Sequence, residues 1–228
     1  MTSAYSPLGV ELMVTGENAG TWGTKTNTNL NIVEQIVGGY TTQAVTDSGT
    51  PTALTVSDGS TGATLSHRVI ELTGSISGAR VVTIPLDVQT FYVIKNSTSG
   101  AYTVQFKYAS GSGDTVTWTA TDKGTKIIYA TANDGTNPDI VDVMANSSEI
   151  AVTNSNPIKF QDADNSAFVG IDAPATVSGS YTLTLPAAVG SASQALVTTD
   201  GAGTLGFTST SSFGITTGKA IAMAIVFG

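Results

Sequence analysis

The sequence contains no cysteine and only one histidine among its 228 residues. Disulfides within the chain are therefore excluded, and so are thiolate metal sites and the usual zinc sites, which need several His or Cys ligands. His67 has no nucleophile and buried acid in a pattern typical of a catalytic triad, so we predict that it is a half-exposed strand residue.

Charge is also scarce, because Asp, Glu, Lys and Arg make up only 11% of the chain, less than half of the usual share. With 9 basic and 17 acidic residues the formal net charge is -8. Nucleic acid and anionic membrane surfaces both attract basic proteins, so the charge argues against either partner. A surface this poor in charge exposes neutral side chains, and we expect part of it to be buried between subunits.

Long apolar runs are missing as well. The longest, residues 220–227, is far shorter than the roughly 20 residues that a membrane helix needs, so we expect no membrane insertion. No basic segment followed by an apolar run stands near residue 1, and we therefore expect no secretory signal and synthesis in the cytoplasm.

Thr, Ser, Gly, Asn and Ala fill the place of the missing charged residues, a composition typical of strands joined by tight turns. Short alternating or apolar segments recur about every ten residues and are bounded by turn residues. They predict a mainly β protein, with a β-sandwich or jelly-roll-like domain and a smaller β unit after it. The predicted strands of the main domain are 52–56, 67–72, 80–85, 91–96, 102–108, 115–119, 125–130 and 139–144.

One helix is predicted near the start. A Gly-rich turn presents Trp22 and leads into a polar run with apolar residues at helical spacing. We predict a helix over about 28–37, capped by Thr26 or Asn27 and stopped by the glycines at 38–39. Its apolar stripe needs a partner, in its own body or in a neighbour, and consists of Leu30, Ile32, Val33, Ile36 and Val37.

These patterns divide the chain into four parts: 1–40, an arm with the helix; 41–146, the main β domain; 147–190, the small β unit; and 191–228, a C-terminal segment. Near its end, larger apolar side chains alternate with alanine. As a strand, that segment would place on one face Ile221, Met223, Ile225 and Phe227. An exposed strand of this kind would aggregate, so we predict that the same segment of other subunits buries it.

Three patterns have a chemical interpretation, and each also has a simpler one. Gly201, Gly203 and Gly206 match the dinucleotide fingerprint in spacing, but a helix does not follow and no acidic residue comes later, so we predict a turn. Asp162 and Asp164 lack the glycine and glutamate of a calcium loop, which favours a turn. The aromatic residues that could form a sugar platform are more typical of a core and comprise Tyr92, Tyr102, Tyr108 and Trp118.

Three segments resemble bacteriophage tail-fibre and virion structural proteins. The first reads Gly-Glu-Asn-Ala-Gly-Thr-Trp-Gly from residue 16 and continues to Asn31, which is similar to a GENxGTWGxxxNxN stretch followed by a short helix. The second covers 68–145 and resembles a β module in which an NxTSGxYxVxVKxxSGxG segment, here residues 96–113, forms a hairpin and a later strand ends in a DGTN turn. The third, residues 160–207, resembles segments near fibre stalks.

The resemblance implies a non-enzymatic virion component without cofactor, metal or catalytic residues: a tail fibre or fibre-like protein, assembled as a homotrimer and docked through its N-terminus onto other tail or capsid proteins. Alternatives are a capsid decoration protein or head fibre, and a receptor-binding module for a host surface glycan or protein. A polysaccharide depolymerase fits least, because clustered carboxylates are missing. Trp22 has two interpretations, a core residue that packs on the helix and an anchor that inserts into a partner protein. The candidate interface residues are Trp22, Leu30, Val33, Ile36, Ile221, Met223, Ile225 and Phe227.

Overall fold

Two compact units divide the chain in the computed structural model, Met1–Ile150 and Ala151–Gly228. The structure describes residues 3–121, 123–147, 152 and 156–213. The division into four parts at residues 40, 146 and 190 stays a prediction. The mainly β fold with a helix near its start is confirmed.

A small hairpin and the helix open the first unit. Strand β1 (Ala4–Tyr5) pairs antiparallel with β2 (Glu11–Leu12), and helix α1 runs over Trp22–Gly38. The helix ends at the predicted glycines, since Gly39 is its C-terminal cap.

The predicted start of the helix is wrong by six residues. Gly16 and Gly20 adopt positive φ angles and fold residues 15–21 into a turn, so that the Asn18 carbonyl accepts the Trp22 N–H at 2.9 Å. Neither Thr26 nor Asn27 caps the helix, because both lie inside it. Thr21 occupies the cap position without a side-chain hydrogen bond. The first turns are rich in Thr, Asn and Gly, which have low helix propensity, so contacts with the rest of the unit are needed to stabilise them.

Nine further strands complete the first unit. All eight predicted strands are present, although several are shorter than predicted, and sequence patterning missed β3. Their bounds are β3 (Tyr40–Ala44), β4 (Thr52–Ala53), β5 (Val69–Thr73), β6 (Arg80–Ile84), β7 (Thr90–Asn96), β8 (Val104–Tyr108), β9 (Val116–Trp118), β10 (Thr125–Ala130) and β11 (Ile140–Asp142).

From β3 to β8 the chain alternates between two sheets. The first sheet has the order β11-β10-β7-β5-β3 and the second β4-β6-β8-β9. As a result β3, β5 and β7 are parallel neighbours in one sheet, and β4, β6 and β8 are parallel neighbours in the other. Three successive coils of the chain therefore stack on one another, and antiparallel β9, β10 and β11 complete the sandwich.

The resemblance implied a hairpin in residues 96–113, and β7 and β8 do not form one; the antiparallel partner of β8 is β9. Strands β7 and β8 belong to different sheets, so they do not pair with each other. The loop between them instead stacks on the equivalent loop of the preceding coil, with a parallel bridge between Ser75 and Ser99. Gly100 is required there, because a Cβ atom would lie 2.2 Å from the Ile76 carbonyl oxygen. Turn residues alone could not distinguish a turn within one sheet from a crossing between two.

The core lies between the two sheets and contains three of the four aromatic side chains that the sequence predicts as core residues rather than as a sugar platform. Tyr92, Tyr108 and Trp118 are buried, and each polar tip is hydrogen bonded; the Trp118 indole N–H, for example, donates to the Gly124 carbonyl at 3.0 Å. For these three the interpretation as core residues is confirmed. For Tyr102 it is wrong, because Tyr102 precedes β8 and its side chain is exposed.

Glu71 organises the polar outer side of the first sheet. It accepts hydrogen bonds from Ser97 Oγ at 2.6 Å, from the Tyr40 hydroxyl and from Lys95 Nζ at 2.9 Å. The hydrogen bonds from Ser97, Tyr40 and Lys95 lower the pKa of Glu71 from 4.5 to about 2. The ionised carboxylate therefore ties β3, β5 and the end of β7 together.

The second unit contains two separate hairpins in its described part. Strand β12 (Ile158–Gln161) pairs with β13 (Phe168–Ile171), and β14 (Gln194–Thr198) pairs with β15 (Leu205–Ser209), both antiparallel. An isolated two-stranded hairpin is marginally stable in water at best. These hairpins therefore need further packing.

Replacing a buried phenylalanine of the first unit tests the position of the core. Phe106→Ala removes a side chain with no exposed surface, and we expect the free energy of unfolding to fall by about 3–5 kcal/mol. Phe91→Ala, on the outer side of β7, is the matched control and should cost less than about 1 kcal/mol. Urea denaturation followed by circular dichroism measures both. Equal losses would contradict the two-sheet core.

Glu71→Gln tests the polar network through its pH dependence. The folded-state pKa lies below the ordinary value, so ionisation stabilises the fold above about pH 4.5, and this stabilisation is lost as the pH falls toward 2. We expect the variant to be less stable than the wild type at pH 7 and the difference to shrink between about pH 4.5 and 2. A difference that stayed constant over this range in urea titrations would refute the assignment.

Candidate functional site: two exposed apolar surfaces

A specific set of polar contacts fastens helix α1 to the N-terminal hairpin. The Asn29 side chain accepts the Glu11 N–H and donates to the Glu11 carbonyl, both at 2.9 Å. It thereby satisfies the backbone of β2 as a neighbouring strand would. Lys25, one turn earlier, forms an ion pair with the buried Glu11 carboxylate at 2.8 Å.

The ion pair is favoured electrostatically on both sides. The hydrogen bond from Lys25 lowers the pKa of Glu11, and the same contact raises the pKa of Lys25. Both groups consequently remain charged at neutral pH. Removing Lys25 would leave the buried Glu11 carboxylate without an opposite charge. The ion pair therefore fixes which side of the helix faces the hairpin.

With that side fixed, the predicted apolar stripe divides into a covered and an uncovered part. Ile32 is fully buried and Ile36 half-buried. The uncovered side chains fall within about 80° around the helix axis and form what we call the helix surface: Trp22, Leu30, Val33 and Val37. Trp22 is 66% exposed, which is unusual for the largest apolar side chain.

A groove extends the helix surface toward the start of β3. Leu30, Val33 and Val37 line it together with Tyr40, and its volume is about 820 Å³. His67 lies at its base and is almost completely buried, with Nδ1 2.8 Å from the Ala63 carbonyl oxygen. The prediction of a half-exposed strand histidine is therefore wrong: His67 follows a 3₁₀ turn at Thr64–Ser66, where packing against the helix end covers it.

The second apolar surface belongs to the β12–β13 hairpin. In its register Ile158 lies opposite Ile171, and Phe160 lies opposite Val169. Side chains alternate between the faces of a strand, so these four share one face, which we call the hairpin face. All four are exposed, by between 50% and 72%.

The described part of the second unit, residues 152 and 156–212, contains no buried side chain. Thirteen large apolar side chains there are exposed, on both hairpins and on the segments around them. The predicted interface residues Ile221, Met223, Ile225 and Phe227 lie outside the described residues.

The chemical interpretations of the sequence patterns receive no support from the described geometry. Gly201 and Gly203 lie in the turn between β14 and β15, where Asp200 accepts the Thr204 N–H at 3.0 Å, so the predicted turn is confirmed. Gly206 lies within β15, opposite Val197. Asp162 likewise accepts the Ala167 N–H at 3.2 Å and shapes the turn of the β12–β13 hairpin. Among the described residues, no group of three or more acidic or His side chains could hold a metal ion.

The described residues include no helix that is both long and apolar enough to cross a membrane.

Comparison with protein families, with curated proteins and with solved structures gave no match. The resemblance to phage virion proteins therefore stays a prediction from the sequence motifs.

Sequence patterning identified the helix surface in part, but it missed Glu11, Lys25 and Asn29. Asn29 is the last asparagine of the GENxGTWGxxxNxN stretch, and its spacing from Lys25 by four residues places both on one side of a helix. The sequence did not show this, because Lys25 lies before the predicted start of the helix at about residue 28 and inside the observed helix, which begins at Trp22.

Asn29→Ala tests how the helix is fastened. The variant loses two part-buried hydrogen bonds and leaves the Glu11 N–H and carbonyl unpaired, so we expect the free energy of unfolding to fall by about 1–2 kcal/mol. Asn31→Ala, an exposed asparagine two positions later, is the control and should change stability by less than about 0.5 kcal/mol. Equal effects in urea denaturation would show that Asn29 does not fasten the helix.

Proposed function

We propose that this protein is a non-enzymatic structural component of a bacteriophage virion. It is a tail fibre or fibre-like protein that assembles with further copies of itself, as a homotrimer, and docks onto other virion proteins through the helix surface. The virion-like sequence motifs support its place in a virus particle, and the exposed apolar surfaces support assembly and docking by apolar burial.

One observation carries the proposal: the second unit has regular hairpins and thirteen exposed large apolar side chains, but no buried side chain among residues 152 and 156–212. At about 50 Å² each, roughly half of what full burial removes, they present on the order of 700 Å². A standard interface buries about 800 Å² on each partner. The exposed apolar area of the second unit is therefore similar to the area that one partner buries in a standard protein–protein interface.

The helix surface supports docking to a different protein. Trp22 stands on a Gly-rich turn at the first position of the helix, exposed and flanked by few charges. A rigidly held, exposed tryptophan is typical of the residues that dominate binding energy at interfaces. Since contacts on the other side hold the helix to its own unit, docking needs no rearrangement of the fold.

The oligomeric state of the full chain tests the assembly part of the proposal. Native mass spectrometry at micromolar concentration should give three times the chain mass, because burial of the exposed apolar area favours association. A folded monomer at this concentration would contradict assembly through self-association. Another multiple of the chain mass would contradict the homotrimer alone.

Trp22→Ala tests the docking part. We expect a folded protein with the wild-type oligomeric state and at least tenfold lower incorporation into particles, measured by quantitative mass spectrometry of purified virions. Tyr102→Ala, an exposed aromatic residue outside the helix, is the control and should be incorporated normally. Normal incorporation of Trp22→Ala would remove the docking role, and the copy number in wild-type particles distinguishes a tail vertex from the capsid shell.

A further inference from the structure

The two faces of the β12–β13 hairpin are chemically different. The hairpin face carries Ile158, Phe160, Val169 and Ile171, with no polar side chain among them. The opposite face carries Lys159, Gln161 and Phe168 beside Gly170. A hairpin with one wholly apolar face requires an apolar layer against that face.

The side chains of the opposite face contact one another and are suited to solvent exposure. Lys159 Nζ lies 4.4 Å from the centre of the Phe168 ring, a cation–π contact across the two strands. The ammonium group and the Gln161 amide are also suited to water. Phe168 is therefore accommodated at the surface, although it is as large as Phe160 and about equally exposed, at 51% against 57%.

The hairpin face continues into a groove of about 540 Å³ within the same unit. Ile158 and Ile171 form one side of this groove, and Val177, Tyr181 and Leu183 contribute further apolar lining. These three side chains are themselves exposed, so they do not cover the hairpin face. The apolar surface is larger than the hairpin alone.

We infer that the hairpin face packs against the hairpin faces of the other copies of this chain, around the axis of the proposed trimer, with the adjoining groove at the edge of the contact. This inference rests on the proposed self-association and names the surface that performs it. On the hairpin face both strands present uncharged side chains, so identical copies can meet there without like-charge repulsion; Asp172 lines the groove and does not belong to that face. At about 50 Å² each, the seven apolar side chains of the hairpin face and its groove present on the order of 350 Å². This area is comparable to the apolar part, somewhat over half, of the roughly 800 Å² that a standard interface buries on each partner.

Substituting the two phenylalanines in turn tests the inference, because they belong to the same hairpin and differ chiefly in the face they occupy. Phe160→Ser in the full chain should raise the dissociation constant of the oligomer about tenfold or more, since it removes an aromatic anchor from the contact. Phe168→Ser should change it less than about threefold. Light scattering on dilution measures both constants, and circular dichroism checks that both variants fold.

Cross-linking provides a second readout that does not depend on weakened assembly. The chain has no cysteine, so Val169→Cys introduces a single thiol on the hairpin face. A short bis-maleimide, which can span the roughly 10 Å between facing sheets, should give covalent dimers on a denaturing gel, whereas Phe168→Cys on the opposite face should remain monomeric under the gel conditions.

The possible results separate this inference from the proposed function. An oligomer that Phe160→Ser leaves intact, or that both serine variants weaken equally, would overturn the hairpin contact and leave self-association standing. A monomeric wild type would overturn both. Selective weakening by Phe160→Ser together with cross-linking only through residue 169 would support the contact.

Discussion

The second unit depends on one constraint: apolar side chains on a two-stranded hairpin have no layer to pack against unless another element supplies it. Residues 152 and 156–212 of that unit supply none, because every one of them is at least partly exposed. At about 25 cal/mol for each Å² of apolar surface, covering on the order of 700 Å² is worth roughly 17 kcal/mol before the cost of association. Self-association is the simplest source of such cover, since each copy brings the same surface.

The first unit solves the same problem within one chain. Its strands alternate between two sheets, so that each new coil adds a row of side chains to a shared core. Stacked coils depend mainly on their neighbours, and their ends need polar surfaces. Strand β3 provides such an end, with Thr41 and Gln43 at positions where the next strand carries Ile70 and Leu72. The two units therefore have different requirements for a partner.

Much of the fold was predictable from the sequence, and the failures share a physical cause. Alternation and turn residues located all eight predicted strands, because those signals are local. The parallel stacking was not predictable, since a turn such as Ser99-Gly100 looks the same within one sheet or between two. Asn29 escaped notice because its role depends on Glu11, 18 residues earlier. The asymmetry of Phe160 and Phe168 likewise needs the strand register.

The central claim is that other copies of the chain complete the second unit. Amide hydrogen exchange of the full chain at high and low concentration tests it most directly, because exchange reports local opening in each segment. The account predicts that the amides of β12 and β13 are protected at high concentration and lose protection on dilution, while those of β7 and β8 remain protected. Strong protection of β12 and β13 that did not change on dilution would contradict the claim.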